Sequence, residues 1–275
     1  MIPASFEYER ADSADHALEL LNQHGDDAKL LAGGHSLLPM MRIRLATPST
    51  LIDVGRLTDL SYVRDDGDTI AIGALTCHED VKDSDVLAQH CAIVSHTAGE
   101  VGDPQVRHMG TIGGSIAHGD PASDLPTVML ALDAQFVVRS SSGERTLGAS
   151  EFFTGLFETV LEPTDLLTEI RVPKLSGGWS YQKFHHRAQD WAIVGVAAVQ
   201  NNGAASVALT NMSDVPMRAA GVEQALASGS DAASAAGEAA QDTSPPSDPF
   251  GSADYRRELA KVLTRRALQE AMSSS

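Results

Sequence analysis

The sequence predicts an α+β protein. Helical and strand-like segments mix without a regular strand–helix–strand rhythm, three apolar strand-like runs follow one another beyond residue 176, and a long helical pattern closes the chain. Residues 12–24 read as the first helix. Asp12 or Ser13 can cap it, Ala14, Ala17, Leu18 and Leu21 form an apolar stripe, and Gly25 stops it. Residues 29–32 read as a short buried strand running into Gly33-Gly34, and 36–44 as a helical turn. Strands are expected at 51–54 and 69–75, a helix over 85–99, and a long structured loop over the glycine- and proline-rich 110–124. A helix at 125–132 and a strand at 134–139 follow. Val-Pro and Gly-Gly near 173–178 mark a boundary. Beyond it, 179–187, 192–200 and 204–211 read as antiparallel strands, 216–227 as a helix, and 253–272 as a helix with Tyr255, Leu259, Val262, Leu263 and Leu268 in helical spacing. The stretch 228–250 holds four acids and no bases, and reads either as a short helix plus loop or as a mobile segment. No internal repeat is visible. The expected division is 1–175, with subdomains of about 1–55 and 56–175, and 176–275.

Composition narrows the chemistry. The 275 residues are 43% hydrophobic, enough to bury a substantial core. A net charge of −17 argues against binding nucleic acid, which needs a basic face. Two cysteines, Cys77 and Cys91, exclude a disulfide scaffold, a four-cysteine zinc site and an all-cysteine iron–sulfur cluster carried by this chain alone. Any redox work must therefore use an organic carrier. The start is acidic and lacks an apolar export core, and the longest plain apolar run, 192–199, is far short of the ~20 residues that span a bilayer. A cytoplasmic location is the expectation.

Two glycine turns carry the chemical signal. In Leu30-Leu-Ala-Gly-Gly-His-Ser-Leu37, a buried strand ends in Gly33-Gly34, and His35 and Ser36 follow at the start of a helical turn. Such a turn can aim backbone N–H groups at one anion, and Ser36 can add a hydroxyl. Thr111-Ile-Gly-Gly-Ser115 has a similar grammar: a hydroxyl, two glycines, a hydroxyl, where the first turn has its hydroxyl only after the glycines. Asp120 and Asp124 follow it. Two such cradles suit a long diphosphate ligand with sugar hydroxyls, which a carboxylate can accept. Neither matches the dinucleotide fingerprint G-x-G-x-x-G or the P-loop. Taken alone, each Gly-Gly reads as an ordinary tight turn, and two carboxylates make a weak cation site.

The long segments A-G-G-H-S-L-L-P-M-M-R-I-R-L-A-T-P and D-P-Q-V-R-H-M-G-T-I-G-G-S-I-A-H-G-D-P-A-S-D-L-P resemble the FAD-binding medium subunits of the molybdenum hydroxylases, and within them the aerobic carbon monoxide dehydrogenase branch. The likeness runs nearly end to end, from S-F-E-Y-E-R through Y-Q-K-F-H-H-R at 181–187 to D-Y-R-R-E-L-A-K-V-L-T-R-R-A-L at 254–268. It implies an FAD-binding domain of the vanillyl-alcohol oxidase (PCMH) type followed by a C-terminal α+β domain of the CO dehydrogenase flavoprotein type. It further implies that Leu30, Leu31, Ala32, Gly33, Gly34, His35, Ser36 and Leu37 wrap the FAD pyrophosphate and ribityl chain. Thr111, Gly113, Gly114 and Ser115 would form the second cradle, and Asp124 would hold a sugar hydroxyl. Val101 and Leu167 would give apolar contacts, Lys183 would approach the flavin, and Trp191 would lie near the isoalloxazine. Ser115 stands where asparagine is common in the family, and Trp191 where tyrosine is often seen.

The resemblance also implies partners. These are a small subunit with 2Fe-2S clusters and a large subunit with the molybdenum cofactor, assembled as a dimer of heterotrimers (a heterohexamer), with membrane contact only peripheral and through the complex. The chain would pass electrons from those clusters to an external acceptor, with quinone preferred. No side chain acts as a catalyst in this reading, and no metal is bound by this chain. The same role in an aldehyde, xanthine or N-heterocycle dehydrogenase is the first alternative, and a stand-alone FAD oxidase or reductase the second. A non-catalytic nucleotide-binding or scaffold subunit is the third.

Overall fold

The computed structural model describes residues 2–201 and 203–273; Met1 and Ser275, the outer ends of the expected division, lie outside them. Three larger sheets follow one another along the described residues, and a two-stranded hairpin, Phe153–Gly155 with Glu158–Thr159, lies between the strands of the second. The first is parallel, in the order Glu7–Arg10, Thr50–Asp53, Ala28–Leu31. Helix Ala14–His24 covers it and buries Ala14, Ala17, Leu18, Leu20 and Leu21. Ser13 caps this helix by accepting the His16 N–H at 3.0 Å, and Gly25 ends it at φ 55°. Strand Ala28–Leu31 then delivers the chain to Gly33.

The second sheet is antiparallel, in the order Val63–Asp66, Thr69–Gly73, Leu166–Pro173, Gln135–Ser140, Gly143–Gly148. Its central strand, Leu166–Pro173, is nearly continuously buried, as a strand covered on both faces must be. Sequence reading missed this strand, in which the polar Thr168 and Glu169 are buried among the apolar residues and break any plain hydrophobic pattern. Helix Asp124–Ala131 is buried along its whole length against the sheet.

The third sheet, also antiparallel, runs Trp179–Phe184, Val194–Asn201, Ala204–Thr210, Met217–Arg218. Strand alternation divides its residues between two cores. Tyr181, Ala197, Val199 and Ala208 join the core of the second sheet. Val194, Val196, Ala198, Val207 and Leu209 pack with Ala260, Leu263, Ala267 and Leu268 of the closing helix Ala253–Ser273. That helix also buries Arg256, whose guanidinium donates to the Ile193 carbonyl and, at 2.6 Å, to Asp248. The segment between Ser228 and Phe250 contains a short helix at Ala232–Ala235 and a 3-10 turn at Ala236–Ala240.

Three expectations change. The 85–99 helix is two helices, Asp85–His90 and Ala92–Gly99, broken where Cys91 leaves helical geometry (φ −156°, ψ 60°). The expected 216–227 helix starts late, at Ala220, because Met217–Arg218 pairs with the sheet edge. The expected 110–124 loop contains helix Ile112–His118. Its glycines lower helix propensity, but Thr111 caps it, Gly119 ends it in the left-handed region (φ 65°), and Ile112 and Ile116 are fully buried.

Candidate functional site

Both glycine turns face one cavity of ≈ 780 Å³. That volume lies in the range of small-molecule and cofactor sites. Its wall includes every residue from Leu30 to Leu37, Thr111, Gly113, Gly114 and Ser115, and the apolar Leu166 and Leu167.

The two cradles use their main chains differently. At the first, no hydrogen bond within the described residues engages the amide N–H of Gly33, Gly34, His35 or Ser36. Gly34 is left-handed (φ 72°), a conformation that glycine adopts without a Cβ penalty. Ser36 precedes helix Leu37–Arg42 without using its hydroxyl as a cap. His35 Nδ1 donates to the Gly33 carbonyl at 2.9 Å, which leaves Nε2 as the acceptor nitrogen of the neutral ring. Four neighbouring donors with no internal acceptor form a site for an anion such as a diphosphate.

At the second cradle the amides are already used. Gly113 donates to the Ala74 carbonyl at 2.9 Å, Gly114 to Thr111 Oγ1 at 3.1 Å, and Ser115 to the Thr111 carbonyl at 3.0 Å. The expected likeness between the two turns therefore holds for sequence only. The second offers hydroxyls and a close wall. Its glycines serve packing: a Cβ on Gly113 would lie 2.5 Å from Ala74 Cβ. The cradles also abut. A Cβ on Gly33 would lie 2.0 Å from the Met109 carbonyl oxygen.

Four expected site residues lie outside the cavity wall: Val101, Asp124, Lys183 and Trp191. Val101 is half-buried against the core, and its carbonyl accepts from Arg107 at 3.3 Å. Trp191 is 56% exposed, just after the turn at Arg187–Asp190. Asp124 and Lys183 form a buried ion pair at 2.8 Å. The other Asp124 oxygen accepts from the Tyr181 hydroxyl at 2.6 Å, and Lys183 also donates to the Glu100 carbonyl at 2.9 Å. Burial pushes the Asp124 carboxyl upward against the pull of Lys183 and Tyr181, and burial likewise raises the Tyr181 hydroxyl. In this arrangement Asp124 does not cap its helix. It ties the helix to the third sheet.

Arg107 is held by Glu79 at 2.7 Å and by two carbonyls, whereas Arg42 has no ion pair among the described residues. Burial pushes the Cys91 thiol up to about 12 and raises Cys77, so both are poor thiolates.

His78 is the wall residue that sequence reading passed over. It is 4% exposed, its main-chain N–H donates to the Gly110 carbonyl at 2.9 Å, and its Nδ1 is buried without a hydrogen-bond partner. Burial first, then His35 and Arg107, pushes its pKa down to about 4. The folded chain therefore refuses a proton that an unfolded histidine takes near pH 6.5. Stability attributable to His78 is complete above about 6.5 and falls as pH drops toward about 4, by roughly 3 kcal/mol. Urea denaturation of His78→Gln and the parent at pH 7 and pH 4.5 checks this. The parent should lose more stability than the variant over that interval, and parallel losses would sink the assignment.

With the geometry described, similarity to known proteins is informative. The family of FAD-binding domains in molybdopterin dehydrogenases matches residues 4–175, and the CO dehydrogenase flavoprotein C-terminal domain matches residues 179–271. The carbon monoxide dehydrogenase medium chain of Hydrogenophaga pseudoflava is 41% identical, over 98% of each chain. The glyceraldehyde dehydrogenase medium chain of Sulfolobus acidocaldarius is 39% identical, over 98% of this chain and 99% of that one. A solved structure of the Hydrogenophaga pseudoflava carbon monoxide dehydrogenase, lacking the Mo-pyranopterin moiety of its molybdenum cofactor, superposes with a TM-score of 0.95 over 100% of this chain and 99% of the other. The free amides at 33–36 and the glycines that admit no Cβ fit an FAD diphosphate. The chain thus belongs to the FAD-binding medium-subunit flavoproteins of the molybdenum hydroxylases, and is a flavoprotein subunit of an oxidoreductase.

Proposed function

We propose that this chain is the electron-transfer subunit of an aerobic carbon monoxide dehydrogenase. It takes electrons from 2Fe-2S clusters of a small partner subunit, which receives them from a large molybdenum subunit, and delivers them to a quinone. FAD supplies a carrier that accepts electrons singly and releases them in pairs. The chain's own residues bind and orient it. The four free amides of Gly33, Gly34, His35 and Ser36 hold the diphosphate. The hydroxyls of Thr111 and Ser115 border the chain of sugar hydroxyls, and Leu167 gives an apolar wall. Lys183 and Asp124 fix the third sheet beside the site. Trp191, exposed beside a turn of that sheet, would lie near the flavin ring. Partner clusters are required because this chain has only Cys77 and Cys91, both poor thiolates. We place the complex, a dimer of three-subunit units, in the cytoplasm, with at most peripheral membrane contact. No helix of the described residues is long and apolar enough to cross a membrane.

The observation that carries this reading is the row of free amides in a cavity shared by both glycine turns. An aldehyde-oxidising complex is the second reading, favoured by the near-equal identity of the glyceraldehyde dehydrogenase medium chain. Purification of the native complex, followed by anaerobic bleaching of its flavin with carbon monoxide or an aldehyde, separates them. Three subunits with flavin bleached by carbon monoxide are expected. Bleaching by the aldehyde alone would keep the subunit role and replace the substrate. A colourless chain without partners would overturn both.

A further inference from the structure

His78 stands in the cavity wall with no bonding partner for its ring among the described residues. Its main chain is fixed. The segment 76–78 runs antiparallel to 110–112: the His78 N–H donates to the Gly110 carbonyl at 2.9 Å, the Ile112 N–H donates to the Thr76 carbonyl at 3.0 Å, and Cys77 faces Thr111 in a bridge between them. The ring lies against Gly110, where a Cβ would come within 3.0 Å of His78 Cδ2 and 3.3 Å of Nε2. Gly110 in turn abuts the first cradle, since a Cβ on Gly33 would lie 2.8 Å from Gly110 Cα. His78 therefore sits at the seam of the two cradles. Its ring nitrogens differ. Nδ1 is sealed in protein without a partner, whereas Nε2 is not sealed and no hydrogen bond among the described residues engages it. A neutral imidazole carries one proton. On Nδ1 that proton would make an orphaned N–H in the interior, which proteins avoid more strictly than an unused acceptor. The proton belongs on Nε2, the nitrogen that opens on the cavity. His35 and Arg107 both oppose a further positive charge here, so the ring serves as a donor and not as a cation.

We propose that His78 is a cofactor-binding residue whose Nε2–H donates to an oxygen of the FAD diphosphate held at the first cradle. The inference rests on the reading of the free amides of Gly33, Gly34, His35 and Ser36 as the diphosphate site. It adds to that row a side-chain donor from the facing wall, so that the anion is held from both sides of the seam. An apolar residue of like size would fill the same space without burying an unpartnered Nδ1. The value of the ring lies in the donor it turns to the cavity.

The test uses the full chain, stripped of FAD and titrated with it. His78→Phe should bind FAD ~10- to 100-fold more weakly, the loss expected for a hydrogen bond to a charged group. His78→Gln, whose carboxamide also donates, should keep most of the affinity. Magnetic resonance reads the contact itself and needs only the parent chain, so a variant that fails to fold does not decide the matter. Adding FAD should shift the ring nitrogen resonances of His78, with the proton remaining on Nε2. A phosphorus resonance of the bound FAD should also differ between the parent and His78→Phe. Unmoved ring resonances or a proton found on Nδ1 would overturn the proposal. So would a Phe variant with the parent's affinity, or a folded Gln variant as weak as the Phe variant. Failure of the diphosphate reading looks different: Gly33→Ala would keep its FAD, and the phosphorus resonances of FAD bound to the parent would stand where those of free FAD do.

Discussion

Gly33→Ala is expected to give a folded chain that purifies without FAD. The added Cβ would lie 2.0 Å from the Met109 carbonyl oxygen, 2.7 Å from its carbon and 2.8 Å from Gly110 Cα. All three are main-chain atoms, so no flexible side chain can give way. The two cradles must move apart, and the free amides of Gly34, His35 and Ser36 turn with them. Over-packing of this kind costs about 1–3 kcal/mol. Because it falls on the binding geometry itself, FAD affinity should drop ~10- to 100-fold. Gly237→Ala, whose Cβ would meet nothing within 4 Å, is the matched control. Gly114 is a gentler site, since a Cβ there meets only Thr111 Oγ1, at 2.8 Å. Flavin content after gel filtration and an FAD titration provide the measurement. A Gly33→Ala chain that keeps its full complement of flavin would refute the assignment of the first cradle.

The second large effect is on stability. Asp124→Ala removes the carboxylate from a pair whose two side chains are 5% and 3% exposed. Lys183 is then left charged and buried with only the Glu100 carbonyl for a partner, and Tyr181 loses its acceptor. Breaking one side of such a pair costs about 3–5 kcal/mol. For a chain of this size that corresponds to a fall in Tm of roughly 6–20 °C. Replacing both members, Asp124→Leu with Lys183→Met, removes the orphaned charge and should recover much of the loss. Calorimetry of the three proteins decides the matter. A single variant as stable as the parent would mean that the pair does not join helix Asp124–Ala131 to the third sheet.

These two predictions also mark what the sequence could and could not reveal. The first cradle was legible because its elements are local: a buried strand, two glycines and a helix start lie within a few residues. The fold class and the long closing helix were legible for the same reason. The Asp124–Lys183 pair was not, because its members are 59 residues apart in sequence and meet only once the third sheet packs on the helix. Helix Ile112–His118 was hidden by its own glycines, which look like a loop until tertiary packing holds them. His78 was hidden because its significance lies in burial, and a histidine two residues after Thr76 carries no mark of it.

The third sheet gives its two faces to different cores. Tyr181, Ala197, Val199 and Ala208 complete the hydrophobic interior that begins at Ile70, while their strand neighbours build another under the closing helix. The chain is therefore divisible by ancestry but not by excision. Cutting near residue 176 would strip the flavin-binding part of a section of its own interior and leave Asp124 facing water. The C-terminal part is the final layer of the flavin-binding part, and neither is a detachable cassette.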